Sequence, residues 1–398
     1  MNQPVCSFVV GILASVTGVQ LLAMQPDDRY LWPEGGMVYT ESTITPWKAR
    51  TLAREHHVLT LLKVSEITVD VAKSLVIPHE DTFLTCPAVE KLDAKAAAAL
   101  AKRPGYLRLW GLKALTPETA AALVGHKGQT VELTGVREIT AAVATAISGG
   151  KRYGIELGLT SISVHVASEL AKFQGQIFLP DMESLSIEAA MAFRVHKSHL
   201  DLGKAKITAD VAEILLLHEG EIGMIGVKRL EPGVGDILAR HKAEVYLQLE
   251  EIDSVPLARK MFKASNASNS VHDLRTMSPE IAAEYAREDP GYLAQLDLLS
   301  PEAATELAKC ENDITLPELT ELSPRLVTCL TNRRPAVYLT GIKSLEGDEG
   351  VRVAEALAST PAPVFLEFLE RVSEPALAAL RKKPSIKLPP IEKLKVVP

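Results

Sequence analysis

Aromatic residues are scarce in this chain, since Phe, Trp and Tyr fill only 5% of its 398 positions, whereas 47% of the residues are hydrophobic. A core of ordinary size must therefore be built from small and branched aliphatic side chains, which favours thin and regular layers. Excess positive charge is also lacking, because the formal net charge is −7. We therefore expect no general attraction to nucleic acid.

Cysteines are few, and none lies at the spacing of a metal site. The four are Cys6, Cys86, Cys310 and Cys329, and no Cys-x-x-Cys or Cys/His pair at ligand spacing occurs. This scatter excludes a disulfide framework and a zinc finger. We predict that the last three are small hydrophobic residues of the core.

Familiar catalytic motifs are absent as well: there is no Gly-x-Ser-x-Gly, no Gly-Lys-Ser/Thr phosphate loop and no His-Glu-x-x-His. The sequence therefore predicts a non-enzymatic protein without cofactor or metal. Glu132 and Glu156 do recur at equivalent positions of neighbouring repeats, at a spacing of about 5 Å that some glycosidases use. A solvated acidic stripe is the favoured interpretation of this pair, and a carbohydrate-active enzyme is the alternative.

Charge is missing from one long N-terminal run, because no charged residue occurs between Val5 and Met24. This run predicts that residues 1–26 form an export signal or a membrane anchor, and that the protein is exported or membrane-anchored. No Lys or Arg precedes the run, and no clear small-x-small cleavage site follows it. The alternative is a cytoplasmic protein in which this segment is a helix that caps the first repeat.

After residue 26 the chain is internally repetitive. The segments Leu107–Glu118, Val131–Thr140, Ile222–Glu231 and Val337–Glu346 share apolar residues at offsets 0, 2, 5 and 8, followed by Ser, Thr, Asp or Glu at offset 9. The average spacing is about 23 residues, which gives about 15 repeats in residues 27–398. Predicted repeats start near residues 36, 59, 84, 107, 131, 155, 177, 200, 222, 245, 271, 293, 314, 337, 364 and 386.

Each offset has a physical meaning. Apolar residues two apart face the same side of a short strand. The polar residue at offset 9 is a helix N-cap, and Pro with an acid follows it in Thr116–Glu118, Ser278–Glu280 and Ser300–Glu302. Ala120 and Leu123 are three apart and lie on one helical face, which can pack on the strands. Since no unit buries its apolar side alone, the units must stack, with caps at both ends.

This repeat resembles that of bacterial leucine-rich-repeat proteins over residues 36 to 394. The resemblance implies an α/β fold, a right-handed horseshoe-shaped solenoid with parallel strands on the concave face and helices on the convex face. One departure is that the asparagine usual in that family is replaced by apolar residues, so its asparagine ladder is missing. The replaced positions are Leu112, Val136, Ile342 and Leu369. A right-handed β-helix without helices is the alternative fold, and the Pro-Glu caps argue against it.

Two irregular features stand apart from the repeat. Residues 263–270 insert a polar loop, which is a tolerated insertion or, alternatively, a hinge or binding loop. Between residues 371 and 398, seven cations face two carboxylates, a local net charge of +5. We interpret this segment as a solvated end cap, and contact with an anionic polymer or acidic partner is the alternative.

Histidines recur where helices are expected to end, namely His126, His196, His218 and His241. A ladder of metal sites would need ligands about 2 Å from a common ion, whereas packed helices are about 10 Å apart. The favoured interpretation is that each histidine stabilises the C-terminus of its helix.

The outward-facing side of the strands is the predicted functional surface. Arg and aromatic residues at such positions are typical of binding hot spots. They form two groups, which together give the candidate binding surface: Arg108, Trp110, Glu132 and Glu156, then Tyr338, Phe365 and Lys387. We predict a monomeric scaffold that binds a protein or an extended polymer. A structural spacer of the cell surface without a specific ligand is the alternative.

Overall fold

In the computed structural model, the described residues are 36–78, 82–150, 153–263, 273–288 and 292–397. The apolar segment 1–26 and the insertion after Lys263 lie outside the described residues. Among the described helices, none is both long enough and apolar enough to cross a membrane.

Short parallel strands and helices alternate along the chain. Ten strands form one sheet in which each strand pairs with the next one in sequence. Their starts agree within one residue with the predicted repeat starts from 36 to 245, so the predicted strand–helix solenoid is confirmed. The strands are β1 (Met37–Tyr39), β2 (Val58–Leu61), β3 (Phe83–Thr85), β4 (Tyr106–Arg108), β5 (Thr130–Leu133), β6 (Gly154–Leu157), β7 (Gln176–Phe178), β8 (Leu200–Asp201), β9 (Ile222–Met224) and β10 (Val245–Leu247).

The helices form a second layer, and most begin at a polar N-cap. Thr116 Oγ1 accepts a hydrogen bond from the Thr119 amide, and Ser300 Oγ accepts one from the Ala303 amide, as the Ser/Thr-Pro-Glu pattern predicts. The helices are α1 (Pro46–Glu55), α2 (Val69–Ser74), α3 (Ala94–Leu100), α4 (Pro117–Leu123), α5 (Ala141–Ser148), α6 (Val164–Leu170), α7 (Ile187–Phe193), α8 (Ala209–Leu215), α9 (Val234–Ala239), α10 (Val255–Lys263), α11 (Pro279–Glu288), α12 (Pro301–Leu307), α13 (Pro324–Leu330), α14 (Gly347–Ser359) and α15 (Glu374–Arg381).

The core lies between the two layers and is built from aligned rows of aliphatic residues. Leu84, Leu107 and Val131 are register partners on β3, β4 and β5, and all are almost completely buried. Helix residues such as Ala120 and Leu123 pack in the same core. Each buried Leu or Val contributes about 1.5–3 kcal/mol of burial free energy, so the repeated rows supply the stability that few aromatic residues could. Cys86 and Cys310 are buried as predicted, whereas Cys329 is half-buried.

The C-terminal repeats form two further sheets. One has the order β11 (Ile314–Thr315), β12 (Val337–Tyr338), β14 (Val364–Phe365), β16 (Ile386–Lys387). The other, which the sequence did not predict, joins β13 (Ser344–Leu345), β15 (Arg371–Ser373) and β17 (Lys395–Val397). Since Arg371 is in this sheet and pairs with Glu346, part of the predicted basic end cap is neutralised.

The repeats predicted to start at 271 and 293 differ from the others. Residue 271 is outside the described part, and the described residues 273–278 and 292–300 contain a single bridge, between Thr276 and Leu298, but no strand. The amides of Asp297 and Leu298 both donate to the Arg275 carbonyl. Both hydrogen bonds lie at this bridge, several residues after the predicted strand starts at 271 and 293.

Glycine after the strand allows the backbones of successive repeats to stack closely without an asparagine ladder. A Cβ atom on Gly135 would lie 2.2 Å from the carbonyl oxygen of Trp110, and one on Gly158 would lie 1.9 Å from that of Thr134. Only glycine permits backbones of successive repeats to approach so closely. The neighbouring positions Leu112 and Val136, where the family has asparagine, are buried in the core.

Basic side chains bind backbone carbonyl oxygens in the loops that follow the helices. The predicted histidines are buried, and Nε2 of His126 lies 2.9 Å from the Gly105 oxygen. Nδ1 of His196 lies 2.9 Å from the Phe173 oxygen. Lys383 Nζ donates to Ala362 O at 2.6 Å, so this lysine also belongs to the framework rather than to a solvated cap. Gly105, Phe173 and Ala362 lie in the loops that follow the helices, so these contacts hold each loop against the next repeat.

Candidate functional site

The strand face is the surface of the sheets opposite the helix layer. On the ten-stranded sheet, one residue per strand lines up in register and faces away from the core, because side chains alternate along a strand. This row is Val38, Thr60, Thr85, Arg108, Glu132, Glu156, Phe178, Asp201, Gly223 and Tyr246. The register therefore brings the predicted residues Arg108, Glu132 and Glu156 next to one another.

Arg108, Trp110 and Glu132 form a bonded group, which we call the Arg108 cluster. Arg108 Nε donates to Glu132 Oε1 at 3.0 Å, and Trp110 Nε1 donates to Glu132 Oε2 at 3.0 Å. The Arg108 guanidinium also lies over the Phe83 ring, at 5.1 Å from its centroid, and over that of Trp110 at 5.5 Å. Carboxylate and aromatic faces thus hold one arginine together.

The prediction that Glu132 and Glu156 form a solvated acidic stripe is wrong, because both side chains are buried. Glu132 is only 5% exposed and Glu156 only 9%, because the strands are short and large neighbours cover them. Since both oxygens of Glu132 accept hydrogen bonds, this carboxylate is a structural ion-pair partner. The register does place Glu132 beside Glu156, as predicted.

The second predicted group also lies in one row. Tyr338, Phe365 and Lys387 are register partners, and the rings of Tyr338 and Phe365 stack with centroids 4.3 Å apart and an angle of 15°. Both rings are half-buried, whereas Lys387 is exposed. This arrangement is a flat aromatic platform with a cation at its end.

A further group on the strand face escaped the sequence reasoning. It combines residues of the outward row on β7 to β10 with residues that directly precede these strands, and we call it the acidic-aromatic cluster. Its members are Phe178, His199, Asp201, Glu221, Glu244 and Tyr246. The sequence reasoning followed only residues between and after the paired apolar positions, so it missed His199, Glu221 and Glu244, which directly precede them. The outward-facing position before each strand was the signal that could have found them.

Hydrogen bonds and ring contacts hold the acidic-aromatic cluster together. His199 Nδ1 lies 3.3 Å from Glu221 Oε2, and Tyr246 donates its hydroxyl to Glu244 Oε2 at 2.6 Å. The His199 ring lies 5.3 Å from that of Phe178 and 5.6 Å from that of Tyr246. Burial, together with the Glu244 and Glu221 carboxylates, raises the pKa of Tyr246, so its hydroxyl remains a donor.

Asp201 lies at the buried end of this cluster and is 6% exposed. Burial raises the pKa of its carboxyl, while the Gly203 amide, at 2.8 Å from Oδ1, and the nearby His199 act in the opposite direction. Within the described residues, no group of three or more His, Cys, Asp and Glu side chains has the arrangement of a metal site.

Comparison with known proteins assigns no family to this chain. No protein family matches the sequence, and no curated protein is similar to it. A leucine-rich-repeat protein of Leptospira interrogans is 14% identical, with a TM-score of 0.38, over 90% of this chain and 93% of that one. The Drosophila Toll–Spätzle complex matches at 12% identity and a TM-score of 0.36 over 83% of this chain.

This chain spans only 42% of the length of the matched chain in the Toll–Spätzle complex. The strand order and the repeat register described above decide the architecture. The chain has a leucine-rich-repeat-like solenoid fold. Partner and biological role are separate questions, because the same repeat architecture serves unrelated functions.

Proposed function

We propose that this protein is a non-enzymatic scaffold that binds another protein through the strand face of its solenoid. The observation that carries the proposal is the row of register partners from Val38 to Tyr246, which presents one residue per repeat on the side opposite the helices. Arg108, Trp110, Phe178 and Tyr246 on this surface are half-buried, and such fixed arginine and aromatic groups are typical of binding hot spots.

A photoreactive amino acid at Gln176 tests this proposal in living cells. Gln176 is exposed on β7, and the matched control position is Glu188, which is exposed on α7 in the helix layer. We expect a discrete crosslinked product from position 176 and none of the same mass from position 188. The same product from both positions, or none from either, would contradict binding at the strand face.

Two tryptophans offer a matched pair of substitutions. Trp110 lies on the strand face, whereas Trp47 is 73% exposed on α1. We expect Trp110→Ala to abolish the crosslink from position 176, and Trp47→Ala to leave it unchanged. Thermal unfolding of both variants must show that the fold is retained, and Trp110→Phe keeps the ring if Trp110→Ala fails to fold.

Localisation belongs to the same proposal, and we propose that the protein acts outside the cytoplasm or at a membrane. The support is the apolar N-terminal run of the sequence, which contains no charge from Val5 to Met24. Cell fractionation with intact-mass determination tests it, because cleavage or membrane retention is expected. A full-length protein in the soluble cytoplasmic fraction would place its partners in the cytoplasm instead.

A further inference from the structure

The Arg108 cluster shows how this strand face holds a guanidinium. The protein's own arginine lies against two aromatic rings, of Phe83 and Trp110, while the carboxylate of Glu132 accepts a hydrogen bond from its Nε. Carboxylates recognise arginine through charge-assisted hydrogen bonds, and aromatic faces add an attraction for the cation. In this part of the sheet, the arginine comes from the chain itself.

The acidic-aromatic cluster has the same chemical groups three to six strands away from Arg108. Phe178, His199 and Tyr246 supply the rings, and Glu221 and Glu244 supply half-buried carboxylates. Asp201 adds a third, buried carboxylate beneath them. No arginine or lysine occurs within the described strands β7 to β10 or at the positions directly before them.

Two neighbouring lysines make contacts outside the cluster. Lys260 is close enough to Glu244 to affect its own pKa, but its Nζ donates to the His241 carbonyl at 2.7 Å. Lys204 Nζ lies 3.5 Å from Asp181 on the loop side of the sheet. Glu221 and Glu244 therefore bring two formal negative charges to this part of the strand face, against the cation of Lys260 beside Glu244, in a protein whose net charge is already −7.

Gly223 shapes this part of the surface. It lies in the outward row between Asp201 and Tyr246, and a Cβ atom on it would lie 2.9 Å from Asp201 Cγ. Because β9 has no side chain in this row, the Tyr246 ring reaches across it to His199, two strands away. The rings and the carboxylates consequently surround a single region on β8 to β10.

We propose that the acidic-aromatic cluster binds an arginine or lysine side chain of an extended basic segment in the partner protein. This inference rests on the proposed function, since it names the chemistry of the partner at the strand face. Charge complementarity selects a basic segment, and the rings favour arginine, whose planar guanidinium stacks on aromatic faces.

Fluorescence anisotropy with the full-length protein and a labelled peptide of alternating Arg and Ser tests the inference. A peptide of alternating Glu and Ser is the ligand control. The test variant is the double substitution Glu221→Gln/Glu244→Gln, and the matched control is Glu188→Gln/Glu355→Gln. The control removes the same two charges from exposed positions of the helix layer.

We expect the Arg-Ser peptide to bind the native protein and the control, and to bind the test variant about tenfold more weakly, as two lost ion pairs imply. The Glu-Ser peptide should not bind. Equal weakening in both double variants would show attraction to net charge alone and overturn the proposal. Concentration-dependent self-association that only the test variant loses would overturn it in favour of a second copy of this chain.

The two proposals can fail separately. If the crosslink from position 176 depends on Trp110 while the Arg-Ser peptide does not bind, the strand face binds a protein of other chemistry. If the peptide binds through Glu221 and Glu244 but no Trp110-dependent crosslink forms, the basic site stands and the wider interaction surface does not.

Discussion

Arg108 and Glu132 are register partners on adjacent strands, and Arg108 Nε lies 3.0 Å from Glu132 Oε1. Their side chains are only 14% and 6% exposed. Removal of the arginine leaves a buried carboxylate that still accepts a hydrogen bond from Trp110 but has lost the cation of its ion pair. We therefore expect Arg108→Met to lower the free energy of unfolding by about 3 kcal/mol, measured by urea denaturation.

The double variant Arg108→Met/Glu132→Gln should recover part of this loss, because no uncompensated charge remains. Arg325→Met provides the matched control, since the pair of Arg325 and Glu302 is 74% and 54% exposed. Little change is expected there. Comparable losses for Arg108→Met and Arg325→Met would mean that burial of the first pair has no energetic consequence.

The close backbone contact at Gly135 should also be sensitive to substitution. Gly135→Ala places a Cβ atom 2.2 Å from a backbone carbonyl, so adjacent repeats must move apart, and we expect a loss of about 3 kcal/mol or more. Gly149→Ala is the control, because its Cβ would meet its nearest neighbour at an ordinary 3.5 Å. Thermal unfolding of the two variants gives the comparison, and equal melting temperatures would contradict the close approach.

The buried histidines predict a loss of stability in acid. Burial lowers the pKa of His126, His196, His218 and His241 from the ordinary value of 6.5, although hydrogen bonds with carbonyl oxygens oppose this effect. Below pH 6.5 the unfolded chain therefore binds more protons than the folded one. The contribution of these histidines to the free energy of unfolding is complete above pH 6.5. It declines as the pH falls, by up to about 1.4 kcal/mol per pH unit for each histidine.

Urea unfolding of His218→Gln at a series of pH values between neutral and mildly acidic tests this effect. The change in the free energy of unfolding per pH unit should be smaller than in the native protein, by up to the contribution of one bound proton. His165→Gln, at an exposed position, is the matched control for the substitution itself. An unchanged slope in His218→Gln would show that His218 titrates alike in the folded and unfolded states.

Glu284 should protect the fold in stronger acid. Hydrogen bonds from Arg259, at 2.8 and 3.1 Å, and from Arg287 hold the pKa of this carboxyl at about 2, although its burial acts in the opposite direction. The stabilisation is complete above the ordinary value of 4.5 and is lost as the pH falls towards 2. We expect Arg259→Gln to lower the melting temperature at pH 7 more than at pH 3. The same difference at both pH values would exclude this ion pair as the cause.

Much of the fold could be predicted because alternation and N-capping are local properties. The apolar pairs at offsets 0 and 2 locate β1 to β10, and Thr116-Pro117-Glu118 locates the start of α4. The strands β13, β15 and β17 were missed, since Ser344–Leu345 and Arg371–Ser373 are too short to show alternation. Their pairing is a property of stacked neighbours rather than of either segment.

The site was predictable only where it follows the repeat. Tyr338 and Phe365 recur at the same offset, so their contact follows from parallel register. The contact of His199 with Tyr246 joins different offsets on strands that are not adjacent, and it depends on the missing side chain of Gly223. Burial of His218 was likewise hidden, because a polar residue at a helix end is usually solvated.

The row of one residue per strand also has a definite length along the sheet. Neighbouring strands are about 4.8 Å apart, so Arg108 on β4 and Tyr246 on β10 are separated by about 29 Å along the sheet. An extended peptide advances about 3.3 Å per residue and needs about nine residues to cover that distance. A segment of about nine residues can therefore contact the whole row from Arg108 to Tyr246, whereas a shorter segment covers only part of it, so the length of the ligand as well as its charge sets how much of the strand face it contacts.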